Sequence, residues 1–305
     1  KYHPSKKKPV QIYYGKFGDS KKASIVEAKV SEDCILPVRG KSCSQNAMPY
    51  LAQKFPTYDS FASATLTDIY TQSSLQQAQA FQVNYLESAI LINDGEARFK
   101  VKPLPELSQI SPGFGVVATE VNGDGNADIY IVQNFYHPQR ETGKMAGGLS
   151  VLLLGDGAGS FDQVWPNQSG LIVSEDARGL SSCDWNNDGW VDFVVSVNNG
   201  KMKLFENNPN ASNQLNSLKV RLSYAQGNPN GVGSKVSVIM EDGTVQSDEV
   251  SAGGSYLSQS SPDLFFGVGL EKKIKSINVR WPDGKETVNE YKKGENIINI
   301  RRNVN

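Results

Sequence analysis

The residues best suited to chemistry are oxygen-bearing and fall in two short runs. In DWNNDGWVD, Asp184, Asn186, Asp188 and Asp192 hold the first, third, fifth and ninth positions, with Gly189 at the sixth. In EVNGDGNAD, Glu120, Asn122, Asp124 and Asp128 repeat that spacing, with Gly125 at the sixth. Alternate residues of a tight loop point inward, so each run gathers hard oxygens, and the glycine permits the sharp turn. The main-chain carbonyls of Asn126 and Trp190 add an oxygen at the seventh position. Calcium takes six to eight such ligands at roughly 2.3–2.6 Å. Clustered carboxylates repel one another, and a divalent cation turns that repulsion into a cross-link. Both loops are therefore read as Ca2+ sites. Turn formation alone would also select Asn, Asp and Gly, but two loops with matched spacing at matched points of a repeat favour the metal. An EF-hand begins alike yet needs a glutamate at its twelfth position and flanking helices. Here Val195 stands at that position of the second loop, and apolar strands follow both.

Other signals are weaker. The chain has only two histidines, His3 and His137, too few for a histidine zinc site or a serine triad. Cys34, Cys43 and Cys183 lack CxxC spacing and are expected as buried free thiols, a Cys34–Cys43 bridge remaining open. GNPNGVGSK places Ser234 before Lys235, the reverse of a phosphate-binding loop, and is read as a glycine-shaped hairpin. GGSYLSQS is not a nucleophile elbow; its Gly253–Gly254 pair suits a bulge or a close strand approach. Trp165, Trp185, Trp190 and Trp281 are sugar-stacking candidates. Trp185 and Trp190 are expected to pack between blades rather than form an exposed platform, and Trp281 to pack at the start of a turn. NQS at 167–169 and NAS at 210–212 are glycosylation sequons in a eukaryotic setting.

The elements that would position these residues are strands. The chain has 305 residues and a formal net charge of −1, a balance that argues against a nucleic-acid partner. No apolar run is long enough to span a membrane. The chain opens on Lys1 in polar sequence without a leader, and is read as a piece of something longer. A unit of about 60 residues recurs, in the range of propellers and arrays. GFGVVATEVNGDGNADIYIVQNF with GGLSVLLLGDGAGSFDQV is one copy, and DARGLSSCDWNNDGWVDFVVSVNNGKMKLFENN the next. YLESAILINDGEARFKVKPLP is an earlier copy, its Asn93-Asp94-Gly95 matching Gly155-Asp156-Gly157. QIYYGKFGDSKKASIVEAKV is a weaker one, with Lys16, Gly18, Ser20 and Ser24 at the liganding positions and no metal expected. QNAMPYLAQKFPTYDSFASATLTDIY, broken by Pro56, and SSLQQAQAFQ, capped by Ser73 or Ser74, are predicted as helices inserted between strands of one blade. The polar ENNPNASNQLNS marks a boundary. The fold class is all-β: propeller-type blades over 1–210 with a short helical insertion, then a small β domain over 211–305.

The paired D-x-N-x-D-G-x-x-D loops resemble the FG-GAP/VCBS repeats of integrin-type propellers. Residues Gly231 to Gly284 resemble the ASPIC/UnbV domain through Gly231-Val-Gly233-Ser-Lys235-Val236, Gly253-Gly-Ser-Tyr-Leu-Ser-Gln259 and the run from Phe266 to Gly284. That domain follows such repeats in bacterial surface proteins and in the cartilage acidic protein family. The first hundred residues are similar to a segment preceding these repeats in long Bacteroidota-type proteins. The resemblance implies a non-enzymatic, calcium-binding extracellular or cell-surface module, at a bacterial outer membrane, that mediates protein or glycan binding. Two alternatives stand beside it. One is a scaffolding accessory subunit of an outer-membrane nutrient-capture complex; the other is a calcium-dependent polysaccharide lyase.

Overall fold

The computed structural model describes residues 2–32, 34–140, 142–209, 216–224, 227–269 and 273–302. The boundary expected at 210/211 and the sequon at 210–212 lie outside the described residues. The chain divides into two compact units, Lys1–Glu87 and Ser88–Asn305. The fold is all-β apart from a few short helices, and no described helix is long and apolar enough to cross a membrane.

In the first unit, strands β1 (Val10–Gly15), β2 (Ser24–Ser31) and β3 (Cys34–Pro37) form an antiparallel meander. Five helices follow: α1 (Lys41–Ala47), α2 (Tyr50–Lys54), α3 (Tyr58–Ala62), α4 (Leu66–Tyr70) and α5 (Gln72–Gln77). Each is only a turn or two long. Pro49 and Pro56 interrupt the run, and a capping box at Thr65–Asp68 restarts it. Their apolar faces (Leu51, Phe61, Leu66, Ile69) close with Phe17 and Val26 into one core. Strand β4 (Gln79–Val83) then returns to the free edge of β1, giving the order β3-β2-β1-β4. This corrects the helix expected over SSLQQAQAFQ. The helix ends at Gln77, its cap is Thr71, and the last residues pair with β1 because the open edge offers a ladder that local helix propensity cannot match. The return to β1 also departs from a simple blade meander. Cys34 and Cys183 are free thiols, as expected, but all three cysteines, Cys43 included, are only partly buried.

The second unit opens with the hairpin β5 (Ala89–Asn93) and β6 (Phe99–Pro103). Strands β7 (Gly113–Thr119), β8 (Asp128–Gln133), β9 (Val151–Gly155) and β10 (Phe161–Val164) form a four-stranded meander of blade topology. Strands β11 (Ala177–Cys183), β12 (Asp192–Val197) and β13 (Lys203–Phe205) form a second meander. The repeat inferred from sequence holds in register: Val116 faces Ile131 and Thr119 faces Asp128, as Leu180 faces Val195 and Cys183 faces Asp192, with an irregularity at the same point of each pair. The turns match as well, Asp94 N–H donating to the Arg98 carbonyl and Asp156 N–H to that of Ser160. A methyl at Gly115 would collide with Leu180, so β7 and β11 run in contact. Tyr130, Val132, Leu180, Val191, Phe193 and Val195 fill the core between the two sheets.

The C-terminal strands build two further sheets. One has the order β19-β14-β22, with β14 (Ser217–Ser223), β19 (Leu264–Gly267) and β22 (Ile297–Arg301), β14 and β22 being parallel. The other has the order β16-β15-β20-β21, with β15 (Lys235–Met240), β16 (Val245–Glu249), β20 (Ile274–Arg280) and β21 (Glu286–Glu290). Alternate residues of β15 and β20 point into one core with Leu218, Val220 and Trp281. GNPNGVGSK is shaped by glycines as expected, but it carries the chain from one sheet to the other rather than forming a hairpin. A small hairpin, β17 (Gly254–Ser255) with β18 (Ser258–Gln259), lies along β7 and β11. Its serines serve the blade edges: Val116 N–H donates to Ser255 Oγ, Leu180 N–H to Ser258 Oγ and Ser182 N–H to Ser260 Oγ, at 3.1, 3.2 and 3.0 Å. GGSYLSQSS thus covers strand edges that would otherwise be unpaired.

Candidate functional site

The loop from Glu120 to Asp128 joins β7 to β8. Its fourth and sixth residues, Gly123 and Gly125, both have positive φ, which turns the chain tightly enough to converge on the first side chain. Glu120 Oε1 accepts the N–H groups of Asn122 and Gly123 at 3.0 and 2.6 Å, and Oε2 accepts that of Gly125 at 2.6 Å. At the ninth position Asp128 accepts Val121 N–H and Gly155 N–H, both at 2.9 Å, tying the loop to β9. Asp124 accepts Asn126 N–H at 2.7 Å and the Asn122 side-chain amide at 3.1 Å. Glu120 and Asp128 are 6% and 0% exposed. Burial, with neighbouring carboxylates adding to it, pushes Glu120 up to about 7 and Asp128 up to about 6 against the pull of those N–H groups. Among the described residues no lysine, arginine or histidine forms an ion pair with Glu120, Asp124 or Asp128.

The loop from Asp184 to Asp192 joins β11 to β12 with the same plan. Asn187 and Gly189 carry the positive φ angles. Asp184 accepts the N–H groups of Asp188 and Gly189 at 3.1 and 2.9 Å. Asp192 accepts Trp185 N–H and Asn207 N–H at 2.7 and 2.8 Å. The Asn186 amide donates to Asp188 at 2.8 Å, as Asn122 does to Asp124. One feature is added. The Lys219 ammonium, from β14, donates to Asp184 Oδ2 at 2.6 Å and to Asn187 Oδ1 at 2.9 Å, and both charged side chains are enclosed, at 3% and 0% exposure. Burial pushes the Asp184 carboxyl up, but Lys219 and the loop N–H groups outweigh it and hold it below the usual carboxylate range. Burial leaves Asp192 above that range.

Both loops are sealed by the C-terminal sheet β19-β14-β22 and its neighbours. Gly267, at the end of β19, lies so close to the first loop that a methyl there would collide with Glu120 Oε2 and the main chain of Gly123 and Gly125. Gly269 N–H donates to the Gly123 carbonyl at 2.9 Å. The second loop meets Asn296, whose amide donates to the Asp188 carbonyl at 2.9 Å. Sequence spacing located both loops but missed these partners. Gly267 carries a signal, as the glycine of a Phe-Gly-x-Gly run. Lys219 carries none: in SLKVRLS it sits where strand alternation assigns a solvent-facing charge, yet β14 is covered on both faces there.

Among the described residues no three His, Cys, Asp or Glu side chains converge by themselves as a metal-binding group. A calcium site in these loops would also need the asparagine and main-chain oxygens. The first loop fits a hard cation on its chemistry. Glu120 and Asp128 are buried with no ion-paired cation among the described residues, and Asp124 and Asp128 oxygens each spend one lone pair on an N–H donor, leaving acceptor capacity free. The second already holds a positive charge.

Of the tryptophans, Trp281 is packed at the WPDG turn as expected, with Nε1 on Thr287 at 3.0 Å. Trp185 is 69% exposed, against the expectation that it packs between blades, because the second position of the loop points away from the centre. Trp190 lines a groove of about 440 Å³ between the two meanders with Asn122, Leu154, Leu171, Phe193 and Phe205.

This arrangement defines an all-β protein in which a C-terminal pair of sheets seals two acidic strand-turn loops. Residues 224–304 match the family model described as ASPIC and UnbV. Cartilage acidic protein 1 of Mus musculus is 23% identical over 196 residues, 63% of this chain and 29% of that protein. Its Homo sapiens counterpart is 22% identical over 206 residues, 66% of this chain and 30% of that protein. The chain therefore spans under a third of the length of these relatives.

Proposed function

We propose that the chain is a non-enzymatic, calcium-stabilised module that acts outside the cell or at its surface, its FG-GAP/VCBS-type blades joined to an ASPIC/UnbV sandwich, and that it binds a protein or glycan partner. The observation that carries this reading is the buried Glu120–Asp128 pair, which has no ion-paired cation among the described residues and whose Glu120 lies against Gly267. Side-chain oxygens of Glu120, Asn122, Asp124 and Asp128, with the Asn126 carbonyl, would hold the ion. A bound Ca2+ supplies the missing positive charge. The chain itself supplies the rest: the N–H groups of Asn122, Gly123 and Gly125 orient Glu120, and Val121 and Gly155 orient Asp128. The exposed rings of Trp165 and Trp185, and the groove beside Trp190, suit stacking on a sugar or a protein side chain. The C-terminal family match and the similarity to cartilage acidic protein 1 support an extracellular setting. Against a catalytic role stands the commitment of the acid beside His137, Asp176, to Arg178, Asn198 and Tyr136 N–H.

Thermal unfolding in calcium and in excess chelator tests the reading. Binding to the folded state alone stabilises by about 2.7 kcal/mol at a hundred times the dissociation constant. The wild type should unfold at higher temperature in calcium, and Asp124→Asn should lose that rise. Identical curves with and without calcium would reduce the first loop to a turn.

A further inference from the structure

We propose that Lys219 is the resident cation of the second loop, so that 184–192 takes no divalent ion while that lysine is present. The two loops share spacing, positive-φ positions, a hydrogen bond from the sixth residue's N–H to the first carboxylate and one from the fifth residue's N–H to the third-position asparagine. They differ in what the C-terminal sheet presents to them. The first loop meets Gly267, which has no side chain; the second meets Lys219. These residues come from neighbouring strands of one sheet, in which β19 pairs with β14.

Charge and geometry agree. The ammonium stands 2.6 Å from Asp184 Oδ2, the first-position carboxylate, and 2.9 Å from Asn187 Oδ1. It is 3% exposed, and its main-chain N–H is fixed on the Asn296 carbonyl at 2.8 Å, so backbone pairing on both sides holds the lysine stem in place. A divalent ion sharing Asp184 would meet a fixed positive charge at hydrogen-bonding distance from the same oxygen, a repulsion large in a dry site. Lysine offers three donors and no acceptor, and here it supplies a positive charge to the first-position carboxylate without a metal. The seam at the second loop is therefore expected to be closed at any calcium concentration, and the seam at the first to respond to it. The inference rests on the calcium reading of the first loop only for the ion count of the wild type.

Equilibrium dialysis of the full chain against CaCl2, with circular dichroism to establish folding, decides it. The wild type should bind one ion and Asp124→Asn none. Asp188→Asn should bind as the wild type does, since it removes a second-loop ligand position and leaves Lys219 untouched. Lys219→Met should gain one ion, and lose that gain when Asp188→Asn is added. The proposal is overturned if Asp188→Asn strips an ion from the wild type, or if a folded Lys219→Met gains none. Should Lys219→Met fail to fold, the Asp188→Asn comparison decides alone. A wild type that binds no calcium at all defeats the first-loop reading and leaves the second loop metal-free as proposed.

Discussion

The loops 120–128 and 184–192 follow nearly the same plan and differ in the electrostatics of their first carboxylate. Each points a first-position carboxylate at its own amide groups and anchors a ninth-position aspartate to a neighbouring segment, the end of β9 in the first and the chain just past β13 in the second. In the first, burial leaves Glu120 near 7 and Asp128 near 6. In the second, Lys219 holds the equivalent carboxylate below its ordinary range. What separates them lies far away in sequence, on the strand each loop faces. A ligand-spacing pattern therefore specifies a loop, and the surface that closes over it decides what the loop can hold.

The largest effect that can break this comparison is predicted for Asp184→Asn. It strands a buried ammonium, and removing one partner of a buried pair typically costs about 3–5 kcal/mol. Glu120→Gln strands no cation. It relieves repulsion with Asp124 and Asp128 and leaves at least one backbone N–H donor without its acceptor, a loss of about 1–3 kcal/mol. Urea unfolding in chelator should rank them in that order, and the Asp184→Asn loss should be the same in calcium. A Glu120→Gln loss in chelator equal to or larger than that of Asp184→Asn would show that the loops are not electrostatically distinct.

Much of this was legible in the sequence. The two loops, their equivalence and the strands after them follow from the D-x-N-x-D-G spacing and from the apolar runs IYIV and FVVSV, and the register of β7–β8 against β11–β12 repeats residue for residue. The C-terminal strands were readable from alternation. Lys219 was not: its role depends on a sheet packing over a loop, which no local pattern encodes. The helix expected over SSLQQAQAFQ failed for a related reason, since β1 had an edge to fill. Trp185 was misplaced because loop alternation turns the second position away from the centre but does not say whether a neighbouring sheet covers it there, and none does among the described residues.

A smaller effect sharpens the contrast at the glycine. Gly267→Ala places a methyl against Glu120 Oε2 and the main chain of Gly123 and Gly125. Overpacking of this kind costs typically about 1–3 kcal/mol. The added feature here is selectivity: the thermal shift produced by calcium should shrink in Gly267→Ala, whereas the second loop, which faces β14 and Asn296, should keep its hydrogen-exchange protection at Gly189. Equal loss of protection at Gly125 and Gly189 would mean that the sheet closes over both loops as one unit, and the comparison would lose its independence.

The smallest predicted effect asks what burial adds to an acid–cation pair. Asp283, in the WPDG turn, is paired with Arg302 through two contacts of 2.6 Å, and its carboxyl is lowered to about 2 chiefly by that pair. Arg302 also lies over the rings of Tyr224 and Trp281, 5.3 and 5.6 Å from their centroids. A carboxyl depressed in the folded state contributes stability that is complete above its unfolded value, near 3.9, and is lost as pH falls towards about 2. Asp283→Asn should therefore match the acid-weakened wild type below that window and fall slightly short of it at neutral pH. Because this pair is at the surface, salt should erode its contribution, while the enclosed Lys219–Asp184 pair should be insensitive to salt over the same range. Salt sensitivity of the Asp184→Asn difference as large as that of Asp283→Asn would show that Lys219 is solvated, and that the second loop is open to ions after all.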